Sequence, residues 1–153
     1  GGTNVKIGLI NERAHVKFRT NLLTMSYIRN KKKLIGAIFA EIKKNLKIYK
    51  YTKRDVKAIG IGLPGLVDPS HGNVIFLPNI PGWRNVPLKR IFENHFRIPT
   101  FIENDVNIIT LGEWKFGAGS GVENMICMTL GTGVGGGLIL NNQLYRDEGF
   151  PSG

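Results

Sequence analysis

The chain begins and ends with strand-like alternation of apolar and polar residues and carries helix-like spacing between. Val5 to Ile10 reads as a strand, Asn11 to Arg13 as a turn and His15 to Arg19 as a second strand, giving a hairpin. Ile35, Ile38, Ile42, Leu46 and Tyr49 then recur at three- and four-residue spacing, which predicts an amphipathic helix from about Tyr27 to Tyr49. Val56 to Leu63 reads as a buried strand that Pro64-Gly65 brings to an end. In "NVPLKRIFENHF" Pro87 suits the first turn of a helix, with Leu88, Ile91, Phe92 and His95 or Phe96 on one side. The short strand "PTFIE" leads through Glu103, Asn104 and Asp105 into a further helix. Strands and helices in alternation predict an α/β layer with partly parallel pairing.

Near Gly117 the texture changes. "FGAGSGVEN" reads as a connector, and "MICMTLGTGVGGGLILNNQLY" as strand, glycine turn, strand, Asn-Asn turn and strand. A domain boundary is expected there, with residues 1–120 forming an α/β lobe whose first strand is missing and 121–153 the start of a second lobe.

Composition narrows the classes. A chain of 153 residues with a hydrophobic fraction of 42% can bury one good core or two small ones. The formal charge of +10 invites a nucleic-acid reading. The densest basic run, Arg29 to Lys33 with Lys43, Lys44, Lys47 and Lys50, instead flanks the amphipathic helix as a solvated face would. No zinc-finger, RRM or helix-turn-helix signature accompanies it, so nucleic acid is not an expected partner. The single cysteine, Cys127, cannot form a disulfide within the chain, and His15, His71 and His95 lack the spacing of metal ligands. No metal site is expected. Without a leader or an apolar run of membrane-spanning length, the sequence reads as that of a soluble, cytoplasmic protein with no membrane partner.

Three places invite chemistry. Gly131-x-Gly133-x-x-Gly136 has the dinucleotide-binding spacing, but that motif needs a helix after the glycines and here a hairpin follows. Such a turn can still hold phosphate through converging backbone N–H groups and the Thr132 hydroxyl. Equally, it is a plain tight turn with Gly135 to Gly137 present for close packing. "GGTNVK" has the same character, with Gly1, Gly2 and Thr3 in the turn and Lys6 as a nearby point charge. At the third place, Asn104 and Asp105 are good helix caps. Pro64-Gly65 and Pro78-Asn79 also end or follow strand-like runs, and in open α/β sheets ligands bind at such strand ends. An ionised aspartate there can take a proton from a hydroxyl that attacks a phosphoryl group.

"GGTNVKIGLI", "GIGLPGLVDPSHGNVIFLPNIPGW", "IPTFIENDVN", "LGEWKFGAG" and "LGTGVGGGLILNNQLY" resemble, in order and spacing, the N-terminal half of the ROK family of repressors, open reading frames and sugar kinases. The likeness is greatest to the glucokinase-type members and weakest between Asn21 and Lys53. It implies the actin-like, hexokinase-type ATPase fold, with a ribonuclease H-like mixed sheet and with ATP and sugar between two α/β lobes. It further implies that Gly1 to Thr3 and Gly131 to Gly133 are phosphate turns and that Gly65, Asn79, Asn104 and Asp105 contact sugar hydroxyls. Asp105 matches the family's catalytic base, acting with Mg²⁺. Glu103 matches as well but receives no catalytic role; it caps or orients.

The expected activity is ATP-dependent phosphorylation of a hexose such as glucose, in a family that often dimerises. The rival is a sugar-responsive regulator without kinase activity. Family members also carry an Asp two residues before "GGT", a Glu and a His for the sugar beyond "SG", and later a Cys-rich zinc site. None of these lies in the 153 residues, which by themselves are expected to show no useful turnover.

Overall fold

The computed structural model describes residues 4–24, 27, 30–131 and 133–146. The chain divides into two compact units, Gly1–Lys57 with Pro78–Trp83, and Ala58–Leu77 with Arg84–Gly153.

In the first unit, β1 (Asn4–Ile10) and β2 (Val16–Leu23) form the predicted antiparallel hairpin, from Asn4 opposite Leu23 to Leu9 opposite Phe18. Asn11 builds the turn, its Oδ1 accepting from the N–H groups of Arg13 and His15. The helix α1 (Lys31–Ile48) starts four residues later than its apolar spacing predicts, because Asn30 takes an extended conformation and caps it, accepting from Lys33 N at 3.0 Å. Leu34, Ile35 and Leu46 are buried, while Lys43, Lys44 and Lys47 stand in solvent. Tyr49 stacks on Phe18 of β2 with ring centroids 4.9 Å apart. A single 3₁₀ turn, Lys53–Asp55, follows, held by the Asp55 carboxylate accepting from both the N–H and the hydroxyl of Thr52. That turn uses Val56, whose N–H bonds to Lys53 O, and so delays the next strand.

In the second unit, β3 (Ile59–Leu63) pairs in parallel with β7 (Thr100–Asn104), Gly62 opposite Glu103 and Leu63 opposite Asn104. Of β3 only Leu63 is fully buried, so it is not the buried strand that its composition predicts; two of its residues, Gly60 and Gly62, have no side chain to bury. Between the two strands lie a meander of β4 (Leu66–Asp68), β5 (Asn73–Phe76) and β6 (Arg84–Val86), which the sequence reading does not anticipate, and the helix α2 (Leu88–Phe96). Leu88, Phe92 and Phe96 of α2 are buried, close to the predicted stripe, and Arg97 ends the helix with a left-handed φ of 59°.

The helix α3 (Asp105–Phe116) follows β7 without a gap. Then β8 (Met125–Leu130), β9 (Val134–Leu140) and β10 (Gln143–Leu144) form an antiparallel sheet, ordered β10-β9-β8. Asn141 and Asn142, with φ of 50° and 60°, make the two-residue turn that their sequence predicts. One face of this sheet packs on α3. Ile126, Met128, Leu130 and Val134 stand exposed. No helix among the described residues is long and apolar enough to cross a membrane.

The β4–β5 turn has an acid-sensitive fastening. Asp68 accepts from the Ser70 hydroxyl at 2.7 Å and from His71 N at 3.1 Å, and its other oxygen lies 2.7 Å from His71 Nδ1. The Ser70 bond above all, then the His71 N–H, with a smaller share from the His71 ring, lowers the Asp68 carboxyl from 3.8 to about 2 against the opposing effect of burial. Since the folded value lies below the ordinary one, this fastening stabilises the turn fully above about pH 4 and is lost as pH falls toward 2. An NMR titration of the Asp68 carboxyl should find its midpoint near 2; a midpoint at 3.8 would show that these bonds do not form.

Candidate functional site

The sheet pairing that aligns Leu63 with Asn104 brings the carboxyl ends of β3 and β7 together, where ligands of parallel α/β sheets bind. Pro64 and Gly65 end β3 in a bend, and Gly65 has a φ of 152° that favours glycine. Its carbonyl accepts from Asn104 Nδ2 at 3.3 Å, which ties the two strand ends to each other.

Asn104 is also the N-cap of α3. Its Oδ1 accepts from Val106 N at 2.8 Å and Asn107 N at 3.2 Å, so the cap expected from the sequence is present and its oxygen is committed to the helix. Asp105 is the first helical residue and half-buried. Its Oδ1 shares the Val106 N–H at 3.0 Å, and no donor among the described residues reaches Oδ2. The backbone here approaches β3 closely: a Cβ at Gly62 would lie 3.1 Å from Ile108 Cδ1 and 3.7 Å from Asp105 Cα.

Glu103, just before the cap, is buried and satisfied on both oxygens. Oε1 accepts from Asn104 N at 2.9 Å and Asn107 Nδ2 at 3.1 Å. Oε2 accepts from Arg146 Nε at 3.0 Å and Nη2 at 2.8 Å. Sequence reasoning missed Arg146, and its 43-residue separation offers no local signal. Asn107, in the first turn of α3, reaches back across the cap to Glu103 of β7, and sequence reasoning missed it as well.

The β8–β9 hairpin lies along α3. A Cβ at Gly135 would stand 2.6 Å from Val106 Cγ2, and one at Gly137 would stand 2.1 Å from Thr110 Oγ1. Going from Gly137 to Gly135 thus runs toward the start of α3, and the turn of residues 131–133 lies beyond, at the Asp105 end of the helix. Gly131 N donates to Gly133 O at 2.9 Å and closes the turn. At Gly131 and Gly133 an added Cβ would meet nothing within 4 Å among the described residues, and neither residue has a left-handed φ. The glycines of this motif therefore divide: Gly135 and Gly137 leave no room for a Cβ against α3, whereas Gly136, Gly131 and Gly133 have open space among the described residues.

The structure thus brings Gly65, Asn104 and Asp105 together and sets the 131–133 turn at the same end of α3. Asn79 is an exposed turn residue of the first unit, and Lys6 is an exposed residue of β1 in that unit. Gly1, Gly2, Thr3 and Thr132 lie outside the described residues. Among the described residues no three His, Cys, Asp or Glu side chains gather as metal ligands.

The ROK family model matches residues 1–150. A glucokinase of Streptomyces coelicolor is 36% identical over 146 residues, which cover 95% of this chain and 43% of that protein. The xylose repressor of Caldicellulosiruptor bescii is 38% identical over 117 residues, covering 76% of this chain and 29% of that protein. Among solved structures, the ROK family glucokinase of Streptomyces griseus in complex with glucose and AMPPNP superposes with a TM-score of 0.84 at 36% identity, over 99% of this chain and 46% of that one. The chain spans less than half the length of each of these proteins.

Proposed function

Because this chain belongs to the ROK family and shares the actin-like ATPase fold of its sugar kinases, we propose that it carries the sugar-facing part of an ATP-dependent hexose kinase of the glucokinase type. The carrying observation is the placement of Asp105, at the joined ends of β3 and β7, with Oδ2 lacking a donor among the described residues and a glycine turn at the same end of α3.

In this reading Oδ2 of Asp105 takes the proton of a sugar hydroxyl as that oxygen attacks the γ-phosphorus. The bond from phosphorus to the β,γ-bridging oxygen breaks and the electron pair leaves with the diphosphate. Gly65 and Asn104 orient the sugar; Asn104 has one amide hydrogen beyond its bond to Gly65 O. ATP supplies the phosphoryl group, and its phosphates approach the backbone of Gly131 and Gly133. Mg²⁺ is drawn as the nucleotide's own counter-ion, since the metal in such sites is held largely by substrate phosphates and water. The glucose and AMPPNP of the Streptomyces griseus relative support both ligands.

The xylose repressor relative favours one second reading, a sugar-responsive regulator on the same fold. A regulator has no use for a base at position 105. The full-length protein should consume ATP in a coupled assay with at least one of glucose, mannose, fructose and N-acetylated hexosamines. Specific operator binding relieved by sugar, without ATP consumption, would establish the regulator in its place.

A further inference from the structure

Burying a carboxylate costs several kcal/mol unless donors replace its water. Glu103, only 8% exposed, meets that cost with four donors: Asn104 N and Asn107 Nδ2 on one oxygen, Arg146 Nε and Nη2 on the other. Capping alone does not explain the cluster, because Asn104 Oδ1 already serves the Val106 and Asn107 N–H groups. What Glu103 adds is a clasp on both sides of one residue. It holds the peptide N–H of Asn104 before Asp105 and the side chain of Asn107 after it. Arg146, half-exposed and just beyond β10, fixes the clasp from outside α3.

We propose that Glu103 and Arg146 are positioning residues for Asp105, a role that rests on the kinase reading above. They touch neither sugar nor nucleotide in that reading. Their effect is to hold the first turn of α3 so that Oδ2 of Asp105 stays aimed at the reacting hydroxyl. Without Arg146 one oxygen of Glu103 loses both of its donors, the carboxylate turns toward water, and the hold on Asn104 and Asn107 slackens.

A displacement on the order of 1 Å at a catalytic group can cost about a hundredfold in rate. Arg146→Lys keeps the charge but loses the two-donor convergence on Oε2, so in the full-length protein kcat is expected to fall about tenfold with hexose KM changed less than about twofold. Made in an Asp105→Asn background, the same change should alter the residual single-turnover rate less than about twofold, because its effect passes through a group already disabled. The paired variant Glu103→Gln with Arg146→Gln, which removes both charges of the ion pair together, should repeat both results and covers the case in which Arg146→Lys folds poorly. Equal losses in the two backgrounds, or no loss in either, would overturn the positioning role while leaving the kinase reading intact. Absence of turnover in the unchanged full-length protein would overturn that reading and this inference with it.

Discussion

Under the proposed kinase reading, Asp105→Asn is expected to lower turnover of the full-length protein by at least about a hundredfold, the lower end of what general-base catalysis contributes. Hexose affinity should stay within a few-fold. The replacement is isosteric, and the amide oxygen can still accept from Val106 N as Oδ1 does at 3.0 Å. The Asn104 cap and its bond to Gly65 O are untouched, so the sugar-facing turn keeps its shape. What is lost is the proton acceptor at Oδ2. A small loss of stability, about 0.3–1 kcal/mol, accompanies removal of a negative charge from the first turn of a helix. Steady-state kinetics and calorimetric titration of the sugar would check the two halves separately. Normal turnover by this variant would sink the assignment of the base.

Gly137→Ala is expected to destabilise the protein by about 3 kcal/mol or more, the upper part of the range for overpacking a filled core. The new Cβ would lie 2.1 Å from Thr110 Oγ1 and 2.9 Å from Thr110 Cβ. Thr110 has nowhere to go. It is fully buried, branched at Cβ, and its hydroxyl donates to Val106 O at 2.8 Å, so either the rotamer and that bond are lost or α3 must lift from β9. Gly136→Ala is the matched control on the opposite face of the same strand, where an added Cβ meets nothing within 4 Å. It should be neutral or slightly stabilising, since alanine loses less backbone freedom on folding. Thr110→Ala combined with Gly137→Ala should recover part of the loss by removing Oγ1. Chemical denaturation of the four proteins would read these differences directly. A Gly137→Ala protein as stable as the parent would mean that α3 does not sit on β9 as described.

The alternation of strand and helix was legible because its signals are local. The spacing of Ile35, Ile38, Ile42 and Leu46 marks α1, and "NN" between apolar runs marks the β9–β10 turn. The sequence bounds of α1 and β3 were too wide for a physical reason: Asn30 and the Thr52–Asp55 turn stop each element by side-chain bonds that apolar spacing does not register. The β4–β5–β6 meander was not legible, because strands of three or four residues are too short to show a period.

At the candidate site, the two readings of Asn104 and Asp105 turned out to divide between the residues: the Asn104 oxygen is spent on the cap, whereas Asp105 keeps an oxygen free of donors among the described residues. In "LGTGVGGG" the close-packing reading of Gly135 to Gly137 holds for the first and last of the three and not for Gly136. Packing requires Gly135 and Gly137 but not Gly131 or Gly133. Arg146 could not be read at all, since its meaning depends on a contact with Glu103 that only the fold creates.

The close contact of Gly135 with Val106 has a kinetic consequence. Only the short, branched side chains of Val106 and Thr110 stand between α3 and the glycines of β9, so the helix and the strand have little room to slide past each other. The spacing of α3 and β9 is therefore set when the chain folds. Any motion of α3 therefore carries β9 with it as one block.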